Sequence, residues 1–141
     1  LRPIDLHLSS LRLMGAQIET EGGVLSCRCP DGLRGEKITL SFPSVGATEN
    51  ILIAAASADG ETVILNAARE PEIADLADFL CSCGAHISGA GSGEITVCGM
   101  KKLHSAEHTV IPDRIIASTY MAAAAVTGYP RRTYNSGHPR V

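Results

Sequence analysis

An internal repeat with a period of about 70 residues organises this sequence and limits the folds that it can adopt. The segment Gly84-Ala85-His86-Ile87 has the same pattern as Gly15-Ala16-Gln17-Ile18, and each follows a stretch whose apolar residues recur at helical spacing. Glycine directly after such a stretch is typical of a helix C-terminus, because glycine adopts the left-handed conformation without strain. We therefore expect successive copies of one unit of secondary structure.

The predicted unit consists of a helix, a hairpin, a strand, a second helix and a second strand. Alternating polar and apolar residues around Glu21-Gly22-Gly23 indicate the hairpin. In the first copy we expect these elements, in order, over residues 5–15, 16–29, 38–42, 47–58 and 62–66.

The second copy is predicted to begin with a helix from Pro71 to Cys83. It includes an alanine-rich helix over residues 115–126, which stands at the position of helix 47–58 in the first copy. Both alanine-rich helices are apolar nearly all round, so we expect each to be buried on every side with sheets packed outside. The expected fold class is therefore α/β (α+β).

Composition and charge exclude several classes of protein. The chain has 141 residues, is 45% hydrophobic and has a formal net charge of −3 without any block of Lys or Arg, which argues against a nucleic-acid interface. The longest nearly uninterrupted apolar run, Ile51–Ala58, is far shorter than the roughly 20 residues that span a bilayer. With no signal-peptide pattern either, we expect a soluble, cytoplasmic protein without membrane insertion.

Five cysteines are present, and two pairs have the spacing Cys-x-Cys. Zinc binding with help from His86 and His104 is the alternative to consider, but structural zinc sites normally separate paired cysteines by two to four residues. We therefore expect free thiols in a reducing compartment, with no metal and no cofactor. The five are Cys27, Cys29, Cys81, Cys83 and Cys98.

The stretch Pro43-Ser44-Val45-Gly46 ends a predicted strand and opens directly into an apolar helix. A helix N-terminus presents unpaired N–H groups and a partial positive charge, so phosphate is a natural ligand. The same residues also suit a turn and a helix cap, and both interpretations stay open. A second segment with polar groups at a helix start is Leu1-Arg2-Pro3-Ile4-Asp5-Leu6-His7.

Four segments in this order resemble the UDP-N-acetylglucosamine 1-carboxyvinyltransferases, a family of enolpyruvyl transferases. The resemblance implies an inside-out α/β barrel, with residues 1–110 in the UDP-sugar-binding catalytic domain and residues 111–141 at the start of a second domain. From about residue 129 the tail departs from the family pattern. The four segments are Leu1-Arg2-Pro3-Ile4-Asp5-Leu6-His7-Leu8, Pro43-Ser44-Val45-Gly46-Ala47-Thr48-Glu49-Asn50, Asn66-Ala67-Ala68-Arg69-Glu70-Pro71-Glu72-Ile73 and Val110-Ile111-Pro112-Asp113-Arg114.

The family transfers the enolpyruvyl group of phosphoenolpyruvate to the 3-hydroxyl of UDP-N-acetylglucosamine, the first committed step of peptidoglycan synthesis. The resemblance therefore implies these two substrates as partners. Such a reaction needs anion clamps for phosphate, carboxylate and diphosphate, a proton donor and a base for the sugar hydroxyl.

The resemblance assigns the N-terminal segment to the nucleotide sugar. Arg2 is expected to clamp phosphate oxygens with its planar guanidinium, although alone it would be an exposed arginine. Pro3, Ile4, Asp5 and Leu6 match the segment that holds the uridine. Without the family, Asp5 is a helix cap and Pro3 a helix starter, and we expect no more than a supporting contact from His7.

Three further sets of residues match family positions around the cleft. Ser44, Val45 and Gly46 match the loop that contacts the diphosphate and uridine, although Phe42 stands where some members have a cationic lysine. For Glu70 a contact near the sugar and a purely structural role both stay open. Asp113 and Arg114 are expected to form an ion pair or a hinge contact near the passage to the second domain.

The proton donor of the family comes from a cysteine loop directly before the segment that matches Arg2–Leu6, upstream of Leu1. None of the five cysteines here matches it, so we expect a piece of a longer enzyme that is inactive without the remainder of its fold. The alternatives are a 3-phosphoshikimate 1-carboxyvinyltransferase and a non-catalytic binding or assembly module of the same fold.

Overall fold

The computed structural model describes residues 4–128, which fall into two compact units that meet between His108 and Thr109. Arg2, Pro3 and the tail from residue 129 lie outside the described residues. The first unit contains α1 Asp5–Leu13, β1 Gln17–Glu21, β2 Val24–Arg28, β3 Lys37–Thr39, α2 Val45–Ala55, β4 Glu61–Leu65, α3 Pro71–Ser82, β5 His86–Ser88 and β6 Glu94–Cys98, and the second contains α4 Arg114–Thr127.

Helices α1 and α3 end in the same way, which confirms the predicted repeat. Gly15 and Gly84 follow them with the same φ of 102°, a left-handed conformation that favours glycine. After α1 the N–H of Ala16 donates to the carbonyl of Leu11 at 2.9 Å, and the equivalent bond after α3 is 3.0 Å. Both helices therefore close in a Schellman motif at the residues that the sequence indicated.

The chain also returns to the two helix ends in the same way. The N–H of Arg34 donates to the carbonyl of Met14, and the N–H of His104 donates to the carbonyl of Cys83, both at 2.9 Å. Each copy of the unit therefore contains an equivalent hydrogen bond between the end of its first helix and a segment about 20 residues further along the chain.

The hairpin and the sheet follow the predicted order. Strands β1 and β2 pair antiparallel through a two-residue turn at Gly22-Gly23, where both φ values are positive. The larger sheet has the order β3-β4-β6-β5, with β3 and β4 parallel and the other pairs antiparallel. Its register aligns Ile38, Ile64 and Ile95, which are at most 1% exposed, so the core face of the sheet is defined by these isoleucines.

Helix α2 is the centre of the core and packs against α1, α3, β4 and β6. It begins two residues before the predicted start and ends three residues before the predicted end, since Ser44 caps it and residues 56–58 tighten into a turn. Strand β3 stops at Thr39 and not at Phe42, although the N–H of Leu40 still donates to the carbonyl of Leu65 at 3.0 Å. Strand β4 ends before Asn66, whose φ of 56° is left-handed.

The expectation that both alanine-rich helices are buried on every side is wrong. No residue of α4 is buried, and Val126 is 87% exposed, whereas α2 buries five residues but leaves Ile53 53% exposed. Burial of α2 depends on neighbouring helices and strands, and the second unit, over residues 109–128, contains α4 without any such element.

Between residues 4 and 128, no helix has the length and apolar character that crossing a membrane requires.

Candidate functional site

The loop before α2 has the geometry of an anion-binding helix start. Ser44 is the N-cap residue, and its Oγ accepts a hydrogen bond from the N–H of Ala47 at 3.4 Å, which confirms the predicted cap. The N–H groups of Val45 and Gly46 belong to the first turn, where no carbonyl of the helix can reach them. The first turn also has no acidic residue to repel an anion.

The predicted uridine segment lies at the start of α1. Ile4, and not Asp5, is the N-cap residue, and no side chain caps this helix, so the expectation of Asp5 as a cap is wrong. Asp5 is the first helical residue, and its exposed carboxylate lies in the first turn, where a negative charge is favourable. Leu6 is half-buried and packs against the core, so it anchors the segment.

His7 connects these two helix starts. Its Nδ1 accepts a hydrogen bond from the side-chain amide of Asn50 in α2, and its Cε1 lies against Gly46. A Cβ at Gly46 would be only 3.1 Å from that Cε1, so the glycine allows α1 to approach the loop closely. The structure therefore brings the segment Ile4–Leu6 and the loop Ser44–Gly46 together through one histidine.

Glu49 gives this part of the surface an unusual carboxyl group. Partial burial raises the pKa of Glu49 above its ordinary value of 4.5, and the negative charge of Glu72 raises it further. A charged His7 acts in the opposite direction. The raised pKa means that the Glu49 carboxyl, one turn into α2 from the loop Ser44–Gly46, holds its proton to a higher pH than an isolated one.

The segment between β4 and α3 forms a second wall of the site. An open cavity of about 440 Å³ contains both Glu70 and Pro43, the residue directly before Ser44. The complete lining consists of Pro43, Asn66, Ala67, Arg69 and Glu70. Glu70 is thus adjacent to the predicted diphosphate loop, although the two are far apart in sequence.

Glu70 also has a structural role. It is the N-cap residue of α3, directly before Pro71, and one of its carboxylate oxygens accepts the backbone N–H of Arg69 at 2.9 Å. No side chain caps α3, and Pro71 at its first position supports the interpretation of Glu-Pro as a helix start. Glu70 therefore lines the cavity while its carboxylate is bound to the backbone of Arg69.

Four of the five cavity residues were not among the predicted site residues, and two of these four, Asn66 and Arg69, have polar or charged side chains. Asn66 has the strained left-handed backbone noted above, and its side-chain amide donates to the carbonyl of Leu40 at 2.9 Å. Arg69 is exposed and its guanidinium lies over Gly93, where a Cβ would be 2.8 Å from Nη2. The sequence signal that would have identified Arg69 is a permanent cation next to Glu70 in the motif.

In the second unit, Asp113 is the N-cap residue of α4. Its Oδ1 accepts hydrogen bonds from the N–H groups of Ile115 and Ile116 at 2.8 and 3.0 Å. Asp113 therefore occupies the position in this copy that Ser44 occupies in the first, as the repeat predicts. Arg114 is the first residue of the helix.

The cysteines lie away from these residues. All five are free; Cys81 is exposed and Cys83 is buried, in keeping with their different directions at the end of α3. Cys81 and Cys98 line another open cavity, of about 460 Å³, which contains none of the predicted site residues. Within residues 4–128, no three His, Cys, Asp or Glu side chains are grouped so that they could hold a metal ion.

Comparison with known sequences identifies a family. The sequence model of EPSP synthase (3-phosphoshikimate 1-carboxyvinyltransferase) matches residues 1–131. The UDP-N-acetylglucosamine 1-carboxyvinyltransferase of Acidiphilium cryptum is 58% identical over 127 residues, which is 90% of this chain and 30% of the relative. The enzyme of the same name from Oleidesulfovibrio alaskensis is 53% identical over 126 residues, 89% of this chain and 30% of the relative. The chain spans about 30% of the length of these curated relatives.

Solved structures agree with the fold class predicted from the repeat. The enolpyruvyl transferase NikO of Streptomyces tendae superimposes with a TM-score of 0.76 at 23% identity, over 87% of this chain and 32% of that one. An EPSP synthase of Acinetobacter baumannii gives a TM-score of 0.66 at 32% identity, over 89% of this chain and 28% of the other. The α/β architecture of the enolpyruvyl transferases is therefore confirmed.

Proposed function

Since this chain belongs to the EPSP synthase family of enolpyruvyl transferases, we propose that it is part of a UDP-N-acetylglucosamine 1-carboxyvinyltransferase. That enzyme moves the enolpyruvyl group from phosphoenolpyruvate to the 3-hydroxyl of the nucleotide sugar and releases phosphate. The choice of acceptor is supported by relatives of that name that are 53–58% identical to this chain. The two substrates are its proposed partners.

One observation carries the proposal: the loop at Ser44 and the segment at Ile4 are joined by the contact of His7 with Gly46 and Asn50. A nucleotide sugar carries a diphosphate and a base, so its site must offer an anion-binding loop beside a polar segment for the uracil. In this chain those two features are on neighbouring helix starts.

The residue roles follow from that arrangement. Val45 and Gly46 donate backbone N–H groups to the diphosphate, and the hydroxyl of Ser44 supports the turn. Asp5, with Ile4 and Leu6 on either side, pairs with the uracil edge. We further propose that Arg2 and Pro3 extend this segment and that Glu70 lies near the sugar. Residues 1–110 are proposed to belong to the catalytic domain and residues 111–141 to the start of the next one. Asp113 and Arg114 are proposed to form an ion pair or a hinge contact near the passage between them.

We also propose that the reaction takes place in the cytoplasm, as the first committed step of peptidoglycan synthesis. Both substrates are charged, phosphorylated metabolites. The family resemblance of the segments at Arg2 and Ser44 supports this placement.

A second candidate is a 3-phosphoshikimate 1-carboxyvinyltransferase. It is favoured by the description of the family model and by the EPSP synthase of Acinetobacter baumannii, which is 32% identical. The higher identity of the UDP-N-acetylglucosamine enzymes argues against it. A non-catalytic module of the same fold is the remaining alternative.

A chimaeric enzyme tests the proposal. In it, the part of this chain that aligns with 127 residues of the Acidiphilium cryptum relative replaces them, and phosphate release is measured with phosphoenolpyruvate and either acceptor. We expect release with UDP-N-acetylglucosamine and none with shikimate 3-phosphate. Release with shikimate 3-phosphate alone would support the second candidate, and a folded chimaera without activity would favour the non-catalytic module.

A further inference from the structure

Thr48 is a completely buried polar residue that connects the two walls of the site. Its hydroxyl donates to the carbonyl of Ser44 at 2.8 Å and accepts the backbone N–H of Ala68 at 3.1 Å. Both the donor and an acceptor position of the hydroxyl are therefore used. Ser44 belongs to the proposed diphosphate loop, and Ala68 is two residues before Glu70 in the opposite wall.

The bond to Ala68 is costly to lose because its surroundings are dry. Thr48 and Ala68 are both 0% exposed, so no water can replace the hydroxyl as a partner of the Ala68 N–H. A second bond, from the side-chain amide of Asn66 to the carbonyl of Leu40, joins residues that lie shortly before Ala68 and Ser44 in the chain. The cavity of about 440 Å³ lies between Pro43 on one side and the segment from Asn66 to Glu70 on the other.

We propose that Thr48 is a positioning residue: its hydroxyl sets the separation of the loop Ser44–Gly46 from the segment Ala68–Glu70 and so shapes the site for the nucleotide sugar. The part of this inference that concerns substrate rests on the proposed function. The part that concerns the two chain segments does not, because it follows from the hydrogen bonds alone.

The chain offers matched variants for a test. Thr48→Val keeps the shape of the side chain and removes both hydrogen bonds, whereas Thr48→Ser keeps the hydroxyl. Thr62 in β4 is also 0% exposed, but its Oγ1 has no hydrogen-bond partner. Thr62→Val is therefore a control for the loss of a buried hydroxyl that connects nothing.

The first measurement uses the chimaeric enzyme. We expect Thr48→Val to raise the KM for UDP-N-acetylglucosamine at least about tenfold, while kcat and the KM for phosphoenolpyruvate change less than about threefold. Thr48→Ser and Thr62→Val should stay close to the unchanged chimaera. An equal effect on both KM values, or an equal effect of Thr62→Val, would reduce Thr48 to a general contributor to stability and overturn the proposal.

The second measurement uses the 141-residue chain and needs no substrate. Hydrogen exchange of the Ala68 amide should accelerate at least about tenfold in Thr48→Val and should not accelerate in Thr48→Ser or Thr62→Val. Unchanged exchange in Thr48→Val would overturn the proposal. If Thr48→Val does not fold, exchange of the Ala68 amide is measured in the unaltered chain. A protected amide supports the hydrogen bond to Thr48, and an unprotected one contradicts it. If the unaltered chimaera releases no phosphate, the proposed function fails while the exchange result still tests Thr48.

Discussion

His108 Nε2 lies 2.9 Å from Asp75 Oδ1, so the last residue of the first unit is fastened to helix α3. The imidazole also packs against Phe79, one turn further along the same helix, with 5.6 Å between ring centroids. Both partners of the pair are mostly buried, with side-chain exposures of 19% and 14%. The end of the first unit is therefore held against α3 by the side chain of His108.

Removal of this pair should destabilise the first unit. Asp75→Ala removes the acceptor, and we expect the free energy of unfolding to fall by about 1–2 kcal/mol, as for a partly buried, charge-assisted hydrogen bond. Urea unfolding of the chain measures the change. Asp78→Ala, on the exposed face of α3, is the matched control and should change the stability by less than about 0.5 kcal/mol. Equal losses in both variants would argue against a specific role of the pair.

The raised pKa of Glu49 predicts a pH-dependent effect on stability. A carboxyl whose pKa is higher in the folded than in the unfolded state stabilises the fold while protonated, and loses this contribution as pH rises through the folded pKa. Glu49→Gln should therefore unfold at higher urea concentration than the wild type near pH 7, and the difference should vanish below about pH 4. Glu19→Gln, on an exposed hairpin strand, controls for the change in net charge. A difference that grows toward low pH would contradict the prediction.

Thr62→Val should make the protein more stable. The Thr62 side chain is completely buried in β4, and its hydroxyl has no partner, so the folded state bears the cost of dehydrating a polar group. Valine has the same shape and suits a strand. We expect the free energy of unfolding to increase by about 1 kcal/mol in urea titrations. A loss of stability would mean that the hydroxyl has a partner after all.

Gly46 and His7 should show a strong coupling. Alanine in a helix is normally up to about 1 kcal/mol better than glycine, but here its Cβ would press against the His7 ring at 3.1 Å. Gly46→Ala alone should therefore bring no gain, while in a His7→Ala background it should stabilise by about 0.5–1 kcal/mol. A double-mutant cycle in urea measures this difference. Additive effects would show that the contact does not limit the approach of α1.

The features that were predictable from the sequence depend on local interactions. Gly15 and Gly84 were expected to end helices, and Ser44 was recognised as a possible cap, because each acts on residues within one turn of itself. Asp5 was misjudged on the same grounds, since the structure shifts the N-cap by one residue to Ile4. An error of one or two residues in the position of an N-cap still places the helix end in the same part of the chain.

The features that sequence could not provide arise from contacts between distant segments. The hydroxyl of Thr48 meets the N–H of Ala68 only when β4 and α2 have packed, and no local pattern marks that pair. The contact of His7 with Gly46 depends in the same way on the packing of α1 against α2. The expected burial of α4 was wrong for the same reason, since an apolar helix is buried only if other elements cover it.

Binding of UDP-N-acetylglucosamine to the loop Ser44–Gly46 can be measured by NMR titration of the ¹⁵N-labelled chain. We expect the amide resonances of Val45 and Gly46 to shift the most, with weak affinity at millimolar ligand. Shikimate 3-phosphate at the same concentration should leave them unchanged. A folded sample whose Val45 and Gly46 amides do not respond to the nucleotide sugar, or respond equally to shikimate 3-phosphate, would contradict this expectation.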